Sequence, residues 1–351
     1  MRRIIIAALG LSLLLGLTGC GAKKTADGDL LSRASGISSE ETLLTVDGRK
    51  VEAWRYLYWL AYTCDSIQTA YDDAGAELDW DAAFEGGTLA DYARDQALAD
   101  TVLYAVVETM AEERACTLTE EDRAAMEADW EAASEDYGGE DAYLEALGQL
   151  GLDRQRAETL SQAAYLYDRL RARACDPESA DYPTAEDLAI FSQESGYLAV
   201  DFIRVDGGDD MDAARARAQE AFSKLNSSAS PANDFAVLAA TYSDDPDRDQ
   251  YPHGRTLQVG DGTLPTQAEE AVLALEEGQW SGVVEADGSF YILLRQSLDA
   301  AVAAGAWFDD QLQTAAETAA VETTAAYNRL NVEDFWETLG ESSTAETDPE
   351  G

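Results

Sequence analysis

Residues able to make or break bonds are scarce in this sequence. There is one histidine among 351 residues, His253, and there are four cysteines. A lone imidazole removes most metal-hydrolase designs and Ser-His-Asp triads. His253 stands between Pro252 and Gly254 in a polar stretch, the setting of an exposed loop side chain rather than a catalytic one. The run Asp244-Asp245-Pro246-Asp247-Arg248-Asp249 superficially suggests calcium. Counted from Asp245, it lacks the glycine at loop position six and the glutamate at twelve, so it reads as a solvated acidic loop. Cys64, Cys116 and Cys175 fall in helical patterns without CxxC spacing, which suits small buried thiols, and one disulfide between two of them stays open. Neither a metal nor a cofactor is implied.

The charge narrows the field further. Against 24 Lys and Arg stand 69 Asp and Glu, for a net charge of −45. Phosphate contacts need a basic face that this chain cannot easily assemble, so no nucleic-acid partner is expected. With 46% hydrophobic residues the chain can nevertheless bury real cores, and its length allows two domains.

The elements follow from periodicity. Met1-Arg2-Arg3, the apolar run to Leu17 and then Leu17-Thr18-Gly19-Cys20 form an export leader, residues 1–20, too short for a membrane span. Residues 21–41 are small and polar, a tether. A short hairpin turning at Asp47-Gly48 opens a mainly helical region, 42–180, with a helical pattern from Glu52 to about Tyr71 and further helices over about 80–112, 119–135, 140–150 and 153–175. Trp54, Tyr58 and Tyr62 at helical spacing are read as core before any peptide-binding face. After the break at Asp176-Pro177 to Pro183, residues 184–298 change grammar. A strand over Tyr197–Val205 is followed by two helices, a short strand at Leu257–Val259, a helix from Thr266 to Gly278 with capping-box form, and a hairpin turning at Asp287-Gly288. That order, β-α-α-β-α-β-β, is a small α+β unit. Residues 299–340 return to helix, expected to pack on the N-terminal domain and leave the α+β unit as an insert, and 341–351 read as a disordered tail.

Three stretches carry a resemblance. Asp234 to Asp245, with Phe235, Leu238, Ala239, Tyr242, Ser243 and Asp245, resembles the signature of parvulin-type peptidyl-prolyl isomerases. Ala271 to Val284 and the closing strand Gly288 to Leu294 resemble the same family, as does the element order. Leu-Thr-Gly-Cys is similar to the bacterial lipobox, and the helical arms are similar to those of PrsA/SurA-type export foldases. The implied fold class is α+β, a mainly helical chaperone domain with a small parvulin-like domain. The implied protein is a folding factor lipidated at Cys20 and held by its acyl chains on the extracytoplasmic face of a bacterial membrane, with unfolded or newly exported polypeptides as partners.

The family's pattern also places the site, and this sequence departs from it. The two histidines usual in the first and last strands are replaced, at or next to those positions, by Phe202 and Tyr291. Asp245 keeps the acidic position, while Leu264 and Ala268 stand for larger pocket residues. The resemblance implies Asp245 and Tyr291 as catalytic groups and Phe202, Leu264, Ala268 and Phe290 as substrate-binding ones. Prolyl isomerisation needs no base or metal, because the barrier of about 18–20 kcal/mol is rotation about a partial double bond. The competing readings are a non-catalytic holdase on the same architecture and a solute-binding lipoprotein, which calls for two lobes of repeated βαβ. In the foldase readings the acidic surface keeps the protein soluble and favours basic clients.

Overall fold

The computed structural model describes residues 29–150, 152–251 and 254–344. Cys20, its lipobox and the export leader lie outside them, as does His253. In chain order the elements begin with α1 (Leu30–Ser35), β1 (Thr42–Val46), β2 (Arg49–Glu52) and α2 (Ala53–Asp73). Next come β3 (Ala83–Phe84), β4 (Gly87–Thr88), α3 (Leu89–Glu113), α4 (Glu120–Asp136), α5 (Glu140–Gln149) and α6 (Arg154–Cys175). They are followed by α7 (Ala185–Ser195), β5 (Tyr197–Asp206), α8 (Met211–Ser227), α9 (Pro231–Tyr242), β6 (Arg255–Gln258) and α10 (Thr266–Leu273). The chain closes through β7 (Val284–Ala286), β8 (Ser289–Gln296), α11 (Ala300–Thr318), β9 (Val321–Thr323), α12 (Ala325–Arg329) and α13 (Val332–Thr344). The result is a helix-rich α+β protein in two compact units, one formed by residues up to Ala172 and from Asp309 onward, the other by Arg173–Phe308.

In the first unit, β1 and β2 turn at Asp47-Gly48, both with positive φ (51° and 80°), the twist a tight hairpin needs. β9 then adds to the free edge of β1, pairing Leu44 with Thr323 and Val46 with Val321. This strand was not anticipated in a region read as helix. α2 and α3 pack through Tyr56, Leu57, Leu60 and Cys64 on one side and Ala97, Tyr104 and Val107 on the other, all buried, with the Trp59 and Tyr104 rings 4.7 Å apart. Trp54, Tyr56, Tyr58 and Trp59 of α2 are therefore core, while Tyr62 is only half-buried. Burial pushes the Cys64 thiol well above its usual range, as expected of an inert structural cysteine. Tyr167 donates to Asp309 at 2.7 Å, so α6 and the C-terminal segment are joined within this unit.

Three expectations change here. The tether ends early, because Asp29 caps α1 by accepting from the Ser32 amide at 2.7 Å, and Leu30 and Leu31 are buried where α1 packs on α13. Residues 80–88 are not the start of a helix. They form the β3–β4 hairpin turning at Glu85-Gly86, and α3 starts only at the capping box of Thr88 with Asp91. The polar tail begins inside α13, which continues to Thr344. No disulfide occurs among the described residues.

The second unit is built on a four-stranded sheet of order β6-β5-β8-β7, antiparallel throughout. β5 and β8 pair over eight positions, from Ala199↔Gln296 to Asp206↔Ser289. Helices α8 and α9 cover one face over Ile203, Val205, Phe235, Phe290 and Ile292. α10 covers the other, over Val200, Phe202, Leu257, Tyr291 and Leu293. Every strand pair named in the protein is antiparallel, so the described residues hold none of the parallel βαβ repeats a solute-binding lipoprotein calls for. An unanticipated helix, α7, precedes the sheet behind a capping box of Thr184 and Asp187. α10 also ends earlier than expected, at Leu273. Its capping-box form is not used, since the Glu269 carboxylate accepts from the Gly260 amide at 2.9 Å instead.

Candidate active site

Strand alternation decides which side chains meet. On β5, Phe202 and Arg204 share the α10 face while Ile203 and Val205 point to α8 and α9. On β8 the same rule separates Tyr291 and Leu293 from Phe290 and Ile292. In register Phe202 lies opposite Leu293 and Arg204 opposite Tyr291, which makes Phe202 and Tyr291 diagonal neighbours. Their ring centroids are 6.2 Å apart and tilted by 54°. Leu264, just before α10, and Ala268, on its first turn, pack into the same buried cluster. Four of the anticipated residues thus come together.

Phe290 does not join them. It is buried on the opposite face, with Arg215 5.3 Å from its ring centre, so the substrate-binding role expected of it is withdrawn. One residue along a strand reverses the side-chain direction, and Phe290 is the odd neighbour of Tyr291.

Asp245 reaches the site through a residue the sequence reading passed over. β6 stops pairing with β5 at Val200↔Arg255. Beyond that point the chain following α9 covers the strand edge. The Asp244 amide donates to the Arg204 carbonyl at 2.7 Å, the Arg204 amide donates to Ser243 Oγ at 3.1 Å, and the Asp206 amide donates to Asp244 Oδ2 at 3.0 Å. Arg217 holds the Asp244 carboxylate with two bonds at 2.8 and 2.9 Å. Burial acts to raise the Asp244 pKa, but Arg217 and the Asp206 amide outweigh it and hold the carboxyl below its ordinary value. The Ser-Asp pair of the signature is therefore an edge cap for β5.

The loop then returns to β6 at Gly254 with φ +88°, where a Cβ would lie 2.6 Å from the Val200 carbonyl oxygen. Arg255 follows immediately. Its guanidinium is ion-paired with Asp245 and stacked 4.9 Å from the Phe202 ring centre and 4.5 Å from that of Tyr251. The signal was present in the sequence, because Arg255 has the same parity as Leu257. It lies outside the strand expected at Leu257–Val259, since β6 begins two residues earlier.

Tyr291 is buried, and its hydroxyl has no hydrogen bond to any described residue. Burial raises its pKa above the ordinary value, with Arg204 opposing, so the phenol stays a neutral donor. The site offers an aromatic and aliphatic wall, one uncommitted hydroxyl donor and one anchored guanidinium. Among the described residues no His, Cys, Asp and Glu cluster fit to hold a metal is found.

Residues 202–297 match the PPIC-type PPIASE domain of the rotamases. The match runs from Phe202 in β5 past the end of β8, taking in α8, α9 and α10, and the PPIC-type domain is thus the sheet unit carrying the site. No curated protein matches the chain. Solved structures similar to it include the foldase protein PrsA from Streptococcus pneumoniae str. Canada MDR_19A, 16% identical, covering 76% of this chain and 86% of that one with a TM-score of 0.26. PrsA from Bacillus subtilis is 14% identical over 77% of this chain and 93% of its own, also with a TM-score of 0.26. A SurA-like chaperone of Campylobacter jejuni is 13% identical over 75% and 95%, with a TM-score of 0.24. At such identities and TM-scores these likenesses do not carry an activity over.

Proposed function

We propose that this protein is a lipid-anchored extracytoplasmic folding factor whose PPIC-type domain accelerates rotation about X-Pro bonds at a site rebuilt without the usual histidine pair. The observation that carries this reading is the diagonal pair of Phe202 and Tyr291, with Arg255 stacked on one ring and a free hydroxyl on the other. Catalysis of amide rotation requires binding the twisted amide better than either planar form. An apolar wall suits the proline ring. As the amide twists, its carbonyl oxygen swings out of conjugation, and a fixed donor such as Tyr291 Oη–H stabilises the rotated form. The Arg255 charge is already placed by Asp245 and two rings, so little reorganisation is needed when the amide rotates.

Anchoring at Cys20 is supported by the Leu-Thr-Gly-Cys sequence after a basic start and an apolar run. Among the described residues no helix is long and apolar enough to cross a membrane. With −45 net charge the protein would be repelled by anionic headgroups, so attachment rests on the acyl chains.

A second reading, a non-catalytic holdase, is favoured by a specific observation: Leu264 and Ala268 are only 4% and 0% exposed, so they pack as domain core and offer a proline ring almost no surface. The discriminating measurement is cis/trans exchange in Ala-X-Pro-Phe peptides, by NMR, with chain 21–351 at stoichiometric and catalytic ratios. Faster exchange that falls on Tyr291→Phe supports the isomerase. Exchange at the uncatalysed rate, together with suppressed aggregation of an unfolded client, replaces it with the holdase.

A further inference from the structure

Tyr291 lies two residues from the end of the sheet where β5 leaves it and β7 turns into β8. Asp206 closes β5 opposite Ser289, whose Oγ donates to Asp206 Oδ1 at 3.2 Å. The Gly207 amide donates to the Gly288 carbonyl at 3.0 Å, which fixes the Asp287-Gly288 turn beside Asp206. Asp287 is exposed in that turn, with φ 45°, and makes no hydrogen bond or ion pair among the described residues. Tyr291 itself is only 6% exposed, and its hydroxyl is equally uncommitted.

The charge at this end is negative with every partner counted. Arg204 pairs with Asp206 at 2.7 Å, Arg217 with Asp244 at 2.8 Å, and Arg255 with Asp245 and, at 4.0 Å, with Asp247. Together with Asp287, five carboxylates stand against three cations. Neighbouring elements do not redress the balance. The 39 residues from Thr256 to Leu294, which supply α10, β7 and most of β8, contain seven Asp or Glu and neither Lys nor Arg. Arg215, on the opposite face, is taken by Glu285 at 2.7 Å, and Arg248 donates to the Ala236 carbonyl at 2.7 Å. The Tyr291 phenol registers the imbalance. Burial raises its pKa and Arg204 opposes, while Asp206, Asp287 and Asp245 add to the rise.

We propose that this site selects segments in which Lys or Arg precedes proline, the Asp287 carboxylate receiving that side chain. The proposal deepens the folding-factor reading and rests on its placement of the X-Pro carbonyl at Tyr291 Oη. The proline ring then lies against Phe202, and the residue before it faces the end of the sheet where Asp206 and Asp287 stand. A lysine carries its ammonium on a flexible four-carbon stem, which takes the charge past the phenol to the turn. A glutamate in the same place meets surplus carboxylates, so selection works by repulsion as well as attraction.

The test is an NMR chemical-shift titration of Ala-Lys-Pro-Phe and Ala-Glu-Pro-Phe with chain 21–351, with cis/trans exchange measured in the same samples. The Lys peptide is expected to bind at least tenfold more tightly, and Asp287→Asn is expected to cut that ratio at least threefold. Asn tolerates positive φ, and Asn-Gly is a favoured hairpin turn, so this variant keeps the fold. Glu135→Gln removes an exposed carboxylate from α4, changes the net charge equally and is expected to leave the ratio as it was. Equal binding of the two peptides, tighter binding of the Glu peptide, or a ratio that Asp287→Asn leaves unchanged overturns the proposal. So does a ratio that Glu135→Gln lowers as much, since net charge alone would then set it. A Lys preference lost in Asp287→Asn without faster exchange supports the proposal and removes the isomerase reading. Faster exchange with no preference does the reverse, and absence of binding by either peptide overturns both.

Discussion

The guanidinium carbon of Arg255 lies 4.9 Å from the centre of the Phe202 ring, while the same side chain is ion-paired with Asp245. Asp245 and Arg255 are only 9% and 13% exposed, so each is largely desolvated and depends on the other. Aromatic stacking adds about 0.5–2 kcal/mol to such an arrangement. The pair fixes the loop between α9 and β6 over the site-bearing face.

Removing one partner of this pair should cost more than removing both. Arg255→Gln leaves the Asp245 carboxylate without its cation, and a loss of about 2–4 kcal/mol is expected. The double variant with Asp245→Asn should recover part of it. Amide hydrogen exchange along β5 and β8 measures the local effect, and a double variant less stable than Arg255→Gln alone would contradict the coupling.

Tyr291→Phe should separate chemistry from stability. The hydroxyl bonds to no described residue, so unfolding should shift by less than about 1 kcal/mol, while any X-Pro acceleration falls about tenfold. The pH dependence has a definite sign. Ionisation removes the donor, and burial raises the phenol's pKa, so acceleration should persist through pH ~10 and be lost only above it. Loss of rate well below that pH would assign the donor elsewhere.

Gly254→Ala should damage the second unit selectively. Its φ of +88° disfavours any L side chain, and the new methyl would sit 2.6 Å from the Val200 carbonyl oxygen, where β6 begins to pair. A destabilisation of at least about 2 kcal/mol is expected, read as lost exchange protection in β5 and β6 with α2 and α3 unchanged.

Acid sensitivity of the first unit should centre on Asp122. Arg169 donates to this carboxylate and, with the Thr119 amide, holds its pKa down to about 2 against the opposing effect of burial. A depressed carboxylate stabilises the fold above its unfolded pKa of ~4, and that contribution fades as pH falls from there through about 2. The stability gap between the parent and Asp122→Asn should therefore be full at neutral pH and close within that window. A gap that is constant from pH 6 to 2 would show that the ion pair contributes nothing.

Much of the second unit was legible in the sequence, because its information is local. Short apolar runs bounded by turn residues marked β5 and β8, the Asp287-Gly288 turn joined β7 to β8, and the helix was expected to end at Tyr242, where α9 ends. In the first unit, helical spacing identified Trp54 and Tyr58 of α2 as core, though Tyr62 is only half-buried, and Asp47-Gly48 placed the first hairpin. Single segments carry these signals through side-chain period and backbone preference, which need no partner to be read.

Only the tertiary structure decided how the segments close on one another. Period two shows that Phe290 and Tyr291 face opposite ways, but which face carries the site depends on where α10 packs. Arg255 becomes part of the site because the β5–β6 register ends at Val200, bringing its guanidinium over Phe202 from more than fifty residues away. Glu269 gives up its local cap for the Gly260 amide, and β9 takes the open edge of β1. The sequence by itself determined the long helices and the strands of the second unit, since these follow from local periodicity, but not α1, the β3–β4 hairpin, α7 or β9, which are short or lean on distant partners. The pairings that build the candidate active site were settled only by long-range contacts, where burying a carboxylate, an amide or a strand edge requires whichever partner the folded chain brings within reach.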